Sequence, residues 1–324
     1  MSKAPEQERW LNPGVVGIGL ASLLADMGHE IPTALLPSFL VATLGTSPAA
    51  LGLIERAANG AAGLARLVGG ALADDPGRRR SVATGGYVGT AVLVALIGVA
   101  TTAWQAGVFR VAAWVSRGLR VPPRNALLAD TTTPAGYGRA YGFERAMDNL
   151  GAIAGPLLAL GLLATVGMRS ALLLSVIPGL LAALAIIYAI RHIPLAARRE
   201  RQPIRLQPDR VLRGRLGRLM VGVTAFEVGN VAATLFILRV STLLKPSLSP
   251  AGSARLAVVL YIAYNAAAAI VSVPAGRAGD RWGAVMVLAA GVTFFLLAYL
   301  GFAVGHPSIA WLGMSFIIAA ARAT

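Results

Sequence analysis

The 324 residues are 56% hydrophobic and only 13% charged, with a mean hydropathy of +0.68; soluble domains carry about a quarter charged residues, so this composition argues against a soluble globular fold. The net charge of +15 would suggest nucleic acid in a soluble chain, yet the basic residues fall between apolar runs rather than along one face, and no nucleic-acid partner is expected. Cysteine is absent and the three histidines, His29, His192 and His306, are far apart, so disulfides and clustered metal ligands lack raw material and neither a metal nor a cofactor is expected.

A helix crossing about 30 Å of hydrocarbon takes about 20 apolar residues, and lipid cannot satisfy open backbone groups, so long apolar runs here predict an all-α membrane protein. Nine runs are legible, at 13–41, 49–73, 81–103, 105–123, 141–165, 169–191, 217–240, 254–275 and 284–305, and a tenth begins near Ser308. The polar segment Met1 to Asn12 lacks the apolar stretch and small-residue cleavage site of a signal peptide and reads as a retained tail.

Charge inside a span is costly unless it faces a cavity or a partner, so its placement separates lining helices from scaffold. Span one holds Asp26 and Glu30, four residues apart and on one face, with His29 adjoining. Neighbouring carboxyls in a low-dielectric cavity favour each other's protonated form, which makes them the first candidates for a proton or cation site; the plainer alternative is that both pair with arginines and hold helices together. Span two places Glu55, Asn59 and Arg66 on one face, with Glu55 and Arg66 too far apart to pair. In span four Arg110, Arg117 and Arg124 recur every seven residues, hence within about 40° of one face. Arg117 suits an anionic solute or the span-one acids, and Arg124, near the span's end, suits a gate. Span five carries Arg145 and Asp148 at salt-bridge spacing, then Gly151, Gly155 and Pro156, which favour close helix packing and a bend.

Residues 193–216 lie in the longest polar break, where nine arginines fall between Arg191 and Arg218 with Pro194, Pro203 and Pro208. This predicts a cytoplasmic basic linker between an N-terminal six-helix half, 1–192, and an incomplete C-terminal half, 217–324. Glu227 and Asn230 in span seven are the comparable polar pair of that second half and are expected to face Asp26 across a shared cavity. Lysines and arginines near span ends number 19 on the N-terminal tail's side against 4 opposite, which places the N-terminus in the cytoplasm.

Two loops share G-x-x-x-D-x-x-G: Gly70, Asp74 and Gly77, followed by Arg78 and Arg79, after span two, and Gly276, Asp280 and Gly283 after span eight. A tight turn between helices calls for glycine at close approach or positive φ, and for an aspartate to accept from the free N–H groups of the next helix. Two copies at equivalent places within presumed six-span halves are the mark of a duplicated membrane fold.

These loops resemble the G-x-L-a-D-r-x-G-r-[RK] element of the major facilitator superfamily, with Asp75 standing where that family commonly has arginine. Span one, span two and the segment SRGLRVPPRNALLAD resemble one bacterial branch of the superfamily, and Gly151 to Pro156 resembles the G-x-x-x-G-P element of its drug/proton antiporters, without the glycine pair that follows there. The resemblance implies two pseudo-repeated six-helix halves, with about ten of twelve helices present and the C-terminal part missing, and helices one, four, seven and ten lining a central cavity. It implies a monomeric secondary transporter in a bacterial inner membrane that moves a small solute by alternating access. Proton coupling and efflux are the favoured expectation; an uncoupled facilitator, or an inactive or scaffold fragment, is the alternative. Without G-x-S-x-G, G-x-x-x-x-G-K-[ST] or H-E-x-x-H, no enzyme activity is expected.

Overall fold

The computed structural model describes residues 10–193 and 250–304, which are helical, with no strand among the described residues. The chain divides into two compact units, Met1–Ile204 and Arg205–Thr324. The first contains α1 (Pro13–Ser38), α2 (Pro48–Ala73), α3 (Pro76–Leu96), α4 (Ala103–Asp130), α5 (Tyr137–Val166), α6 (Met168–Leu174) and α7 (Val176–His192). Their starts follow capping chemistry. Asn12 accepts from the Val15 N–H ahead of Pro13, and Thr102 accepts from the Gln105 N–H.

Among the described residues four stretches, Pro13–Val41, Pro76–Val99, Pro134–Val166 and Met168–His192, are long and apolar enough to cross a membrane. The fourth, expected as one uninterrupted span, is broken at Ser175. Its hydroxyl donates to the Leu172 carbonyl at 2.6 Å and its N–H bonds back to the same turn, separating α6 from α7. Hydropathy is blind to such a break because the residues on both sides remain apolar.

Within this unit α1 lies against α5 and α7, α2 against α4, and α3 against both α4 and α7. Lipid is as apolar as leucine, so close backbone packing rather than water exclusion holds such helices together. Gly17 of α1 meets Ala189 of α7, and a Cβ on Gly28 would stand 3.0 Å from the Gly179 backbone nitrogen. Val15, Ile18, Tyr87, Leu127 and Ile186 fill the space around the first contact, and Ile31, Leu36, Phe39, Ile97 and Leu172 form a second cluster.

The second unit contributes α8 (Pro250–Trp282) and α9 (Ala284–Val304), where spans eight and nine were expected. Span seven with Glu227 and Asn230, most of the basic linker and the tenth span lie outside the described residues.

The two motif copies make their turns differently. In the first, Gly70 is inside α2, and the acid that accepts from the next helix is Asp75 rather than Asp74: its Oδ1 takes the Gly77 N–H at 2.9 Å, and its Oδ2 sits 3.1 Å from Arg78. Asp74 is instead the exposed C-cap of α2, and neither Gly70 nor Gly77 has positive φ. The substitution of an acid for the family's common arginine therefore supplies the N-cap of α3. In the second copy α8 runs straight through Gly276 and Asp280, and the chain turns only at Gly283, whose φ of +89° disfavours any side chain.

Candidate functional site

The arginine stripe of α4 fans out to three neighbouring helices. Arg110, only 1% exposed, places Nη2 2.9 Å from Glu55 Oε1 of α2, donates through Nη1 to Thr33 of α1 at 3.2 Å, and stacks 3.4 Å from the Trp114 ring centre. Trp114 in turn donates its indole N–H to Asn59 at 3.1 Å. Glu55 and Asn59, placed on one face of span two by their spacing, thus both meet α4.

Arg117 Nη2 lies 3.6 Å from Asp26 Oδ1, a loose ion pair beside the indole of Trp114. Arg124 reaches both α5 and α1. Its Nη1 is 2.7 Å from Glu144 of α5 and 2.9 Å from Ser22 of α1, and the Ser22 hydroxyl donates to the same Glu144 oxygen at 2.7 Å. Charged donors and acceptors closed into a buried triangle of this kind are strong when complete and costly when one member is lost.

Asp26 is buried, and the like charge that acts on it most strongly is Asp148 of α5, ahead of Glu30. Asp148 also keeps the local partner its spacing predicted, Arg145, at 2.9 Å. Glu30 is only partly buried, 3.5 Å from His29 Nε2. His29 Nδ1 contacts the Ala25 carbonyl at 2.8 Å; a carbonyl can only accept, so the ring proton sits on Nδ1 and Nε2 faces Glu30.

The glycines of α5 hold these groups in place. Gly151 packs directly on the Leu23 carbonyl, with Asp26 Cβ 2.9 Å from where its own Cβ would stand; Gly155, one turn on, meets Glu30 Cβ and the Met27 carbonyl, the latter at 3.0 Å. The four-residue spacing of the acids on α1 therefore matches that of the glycines on α5. Farther along, Arg79 of the first motif copy bonds Asp130 at the end of α4 at 2.7 Å and the Ala73 carbonyl at 2.6 Å, and Arg80 donates to Ile193 O at 2.8 Å.

Sequence reasoning did not single out Glu144 or Arg120. Glu144 adjoins Arg145 in the sequence, and only its 2.7 Å approach to Arg124 in space reveals its partner. Arg120 falls off the seven-residue stripe, and 3.9 Å separates its guanidinium from the Tyr87 ring centre.

The Major Facilitator Superfamily profile matches residues 18–323. An uncharacterized protein of Mycobacterium tuberculosis is 30% identical over 279 residues, covering 83% of this chain and 66% of that protein. An uncharacterized MFS-type transporter of Methanocaldococcus jannaschii is 25% identical over 309 residues, 94% of this chain and 75% of that one. The chain thus spans 66% of the length of its mycobacterial relative. Among solved structures the fold is similar to the human organic anion transporter MFSD10, with TM-score 0.61 and 16% identity over 99% of this chain and 86% of that one. It is also similar to a bacterial homolog of the human lysosomal transporter Spinster, in its inward-facing, unoccupied conformation, with TM-score 0.55 and 17% identity over 96% and 72%. A match across nearly the whole sequence, on long apolar helices whose charges turn toward one another, makes this a multi-pass membrane protein, and the chain belongs to the major facilitator superfamily.

Proposed function

We propose that this chain is part of a secondary transporter that moves a small solute by alternating access and couples that movement to protons taken up at Asp26. The observation that carries the reading is the Asp26 and Asp148 pair: a buried carboxyl on α1 and a partly buried one on α5 that act on each other as like charges, with Arg117 3.6 Å from Asp26. Like charges that close cannot both ionise freely, so the pair holds a proton in one state and releases it when Arg117 closes on Asp26. Glu30, Glu55 and Arg117, partly exposed beside it, are the groups left to meet a solute. Glu227 and Asn230 of span seven are assigned to the other wall of that cavity. The Arg79 to Asp130 bond, with Gly70, Asp74, Gly77 and Arg78 around it, is assigned to one gate, and Gly276, Asp280 and Gly283 to its counterpart. Proton-driven efflux from a bacterial cytoplasm across the inner membrane, by a monomer with a cytoplasmic N-terminus, is the direction and setting we favour.

An uncoupled facilitator is the competing reading, and the Arg117 contact favours it if that contact holds Asp26 ionised throughout the cycle. Proteoliposomes of the full-length protein separate the two. For a transported solute identified by screening, uptake driven by a pH gradient is expected to vanish in Asp26→Asn and Asp148→Asn, while exchange of labelled for unlabelled solute survives. Gradient-driven uptake that persists unchanged in both variants overturns proton coupling at this pair.

A further inference from the structure

Four buried side-chain polar atoms among the described residues have no hydrogen-bond partner, and two of them, Tyr87 Oη and Arg120 Nη1, belong to residues lining one cavity. The cavity lies where α1, α3, α4 and the broken sixth span meet; His29, Thr90, Ser175 and Gly179 are also in its wall, the rest of which is apolar. The other two orphans have an explanation nearby. Asp75 Oδ2 faces Arg78 at 3.1 Å, and Arg110 Nε belongs to a guanidinium already engaged by Glu55 and Thr33.

Arg120 differs from the other arginines of α4. Arg110, Arg117 and Arg124 have carboxylates at 2.9, 3.6 and 2.7 Å, whereas Arg120, 3% exposed, has none within ion-pair distance among the described residues. The Tyr87 ring 3.9 Å away offers its face to the cation, which offsets part of the cost of burying it. The remaining charge is uncompensated, and a buried cation without a counterion is among the costliest arrangements in a protein interior.

The cavity wall presents donors to a guest. Arg120 Nη1 and the Tyr87 hydroxyl have hydrogens to give, and the hydroxyls of Thr90 and Ser175, bonded to the Gly86 and Leu172 carbonyls at 2.7 and 2.6 Å, can rotate toward a guest that accepts. Space is small: about 10 Å³ is open to the centre of a water-sized guest, which suits a single small particle. A water molecule would satisfy the two donors and leave the charge of Arg120 as it is; a single-atom anion satisfies both requirements. We propose that this cavity binds a small monovalent anion of the halide class, held by Arg120 Nη1 and the Tyr87 hydroxyl at the junction of α1, α3, α4 and the Ser175 break. The site is independent of the proton-coupling reading, since it uses neither Asp26 nor Asp148.

The test is thermal unfolding of the full-length protein in lipid nanodiscs, with chloride or bromide replacing gluconate at constant ionic strength. Halide is expected to raise the unfolding temperature saturably, and sulfate is expected to act no differently from gluconate. Tyr87→Phe keeps the ring over Arg120 and removes one donor, so the halide midpoint should move to roughly tenfold higher concentration, the equivalent of one hydrogen bond to a charged group. Arg120→Met removes the buried charge and should fold, with the halide response gone. Equal unfolding temperatures of the wild type in halide and gluconate overturn the proposal. So does a response that both variants retain, or a high-resolution map in bromide with only water density beside Arg120.

Discussion

α1 is gripped on two sides by the same device, and the two sides put it to different use. Toward α7, Gly17 meets Ala189 and Gly28 meets Gly179, with Val15, Ile18, Ala182 and Ile186 around them. Toward α5, Gly151 and Gly155 press on the backbone of α1 at Asp26 and Glu30, while Ser22 joins Arg124 and Glu144 one turn earlier. Small residues let helix backbones approach equally closely on both sides. The difference lies in what the approach is used for: a mostly apolar seam without ion pairs on one side, and on the other a frame that fixes carboxyls and guanidiniums at set distances. Ionisable groups whose partners must be exchanged in a working cycle need such a frame, because a loosely packed helix would let water and alternative pairings in.

The largest effect should come from the charged side. Glu144→Leu leaves Arg124 buried without its carboxylate, and loss of one partner of a buried pair costs about 3–5 kcal/mol. A strongly lowered unfolding temperature in detergent is expected, with most of the loss recovered in the double variant Arg124→Leu/Glu144→Leu. A single variant that unfolds like the wild type would show that the pair is solvated and that the two sides of α1 do not differ as described.

Next come the glycines, which test whether the two seams share one role. Gly28→Val and Gly151→Val each force a Cβ and two methyls into backbone contact, and overpacking of this kind costs about 1–3 kcal/mol. Comparable losses of stability are expected. Only Gly151→Val, which pushes on Asp26, should also reduce pH-gradient-driven transport beyond its effect on protein yield; equal functional losses from both would remove the distinction between seam and frame.

Much of this arrangement was legible in the chain before any coordinates, and what was missed has a common cause. Hydropathy located α1 to α5 and the α8 and α9 pair, and periodicity put Arg110, Arg117 and Arg124 on one face. Both signals are local, set by the 3.6-residue turn and by burial in lipid. Partner choice is not local: Asp148 reads as the partner of Arg145, three residues away, and its second neighbour Asp26 lies 122 positions earlier in the chain, on another helix. Capping was misassigned by one residue for a related reason. Asp74 and Asp75 both suit a turn, and the choice between them depends on where α2 ends, which follows from how it packs on α4. The break at Ser175 escaped because one hydroxyl turned onto a backbone carbonyl leaves no mark on an apolar pattern.

The smallest expected effect is also the finest probe of the charged side. The Ser22 hydroxyl donates to Glu144 at 2.7 Å and accepts from Arg124 at 2.9 Å, so Ser22→Ala deletes two hydrogen bonds and leaves the 2.7 Å ion pair between their partners intact. Both charged groups keep each other, and alanine fits the space, so a loss of about 1 kcal/mol is expected, a small fraction of that in Glu144→Leu. The ratio of the two effects measures how the triangle works. If the ion pair holds the geometry alone, the serine variant shifts the unfolding temperature by no more than a few degrees. If the hydroxyl is what orients the carboxylate toward Arg124, the serine variant approaches the Glu144→Leu loss, and the frame on this side of α1 must be assigned to a three-member network rather than to a salt bridge with an attached hydroxyl.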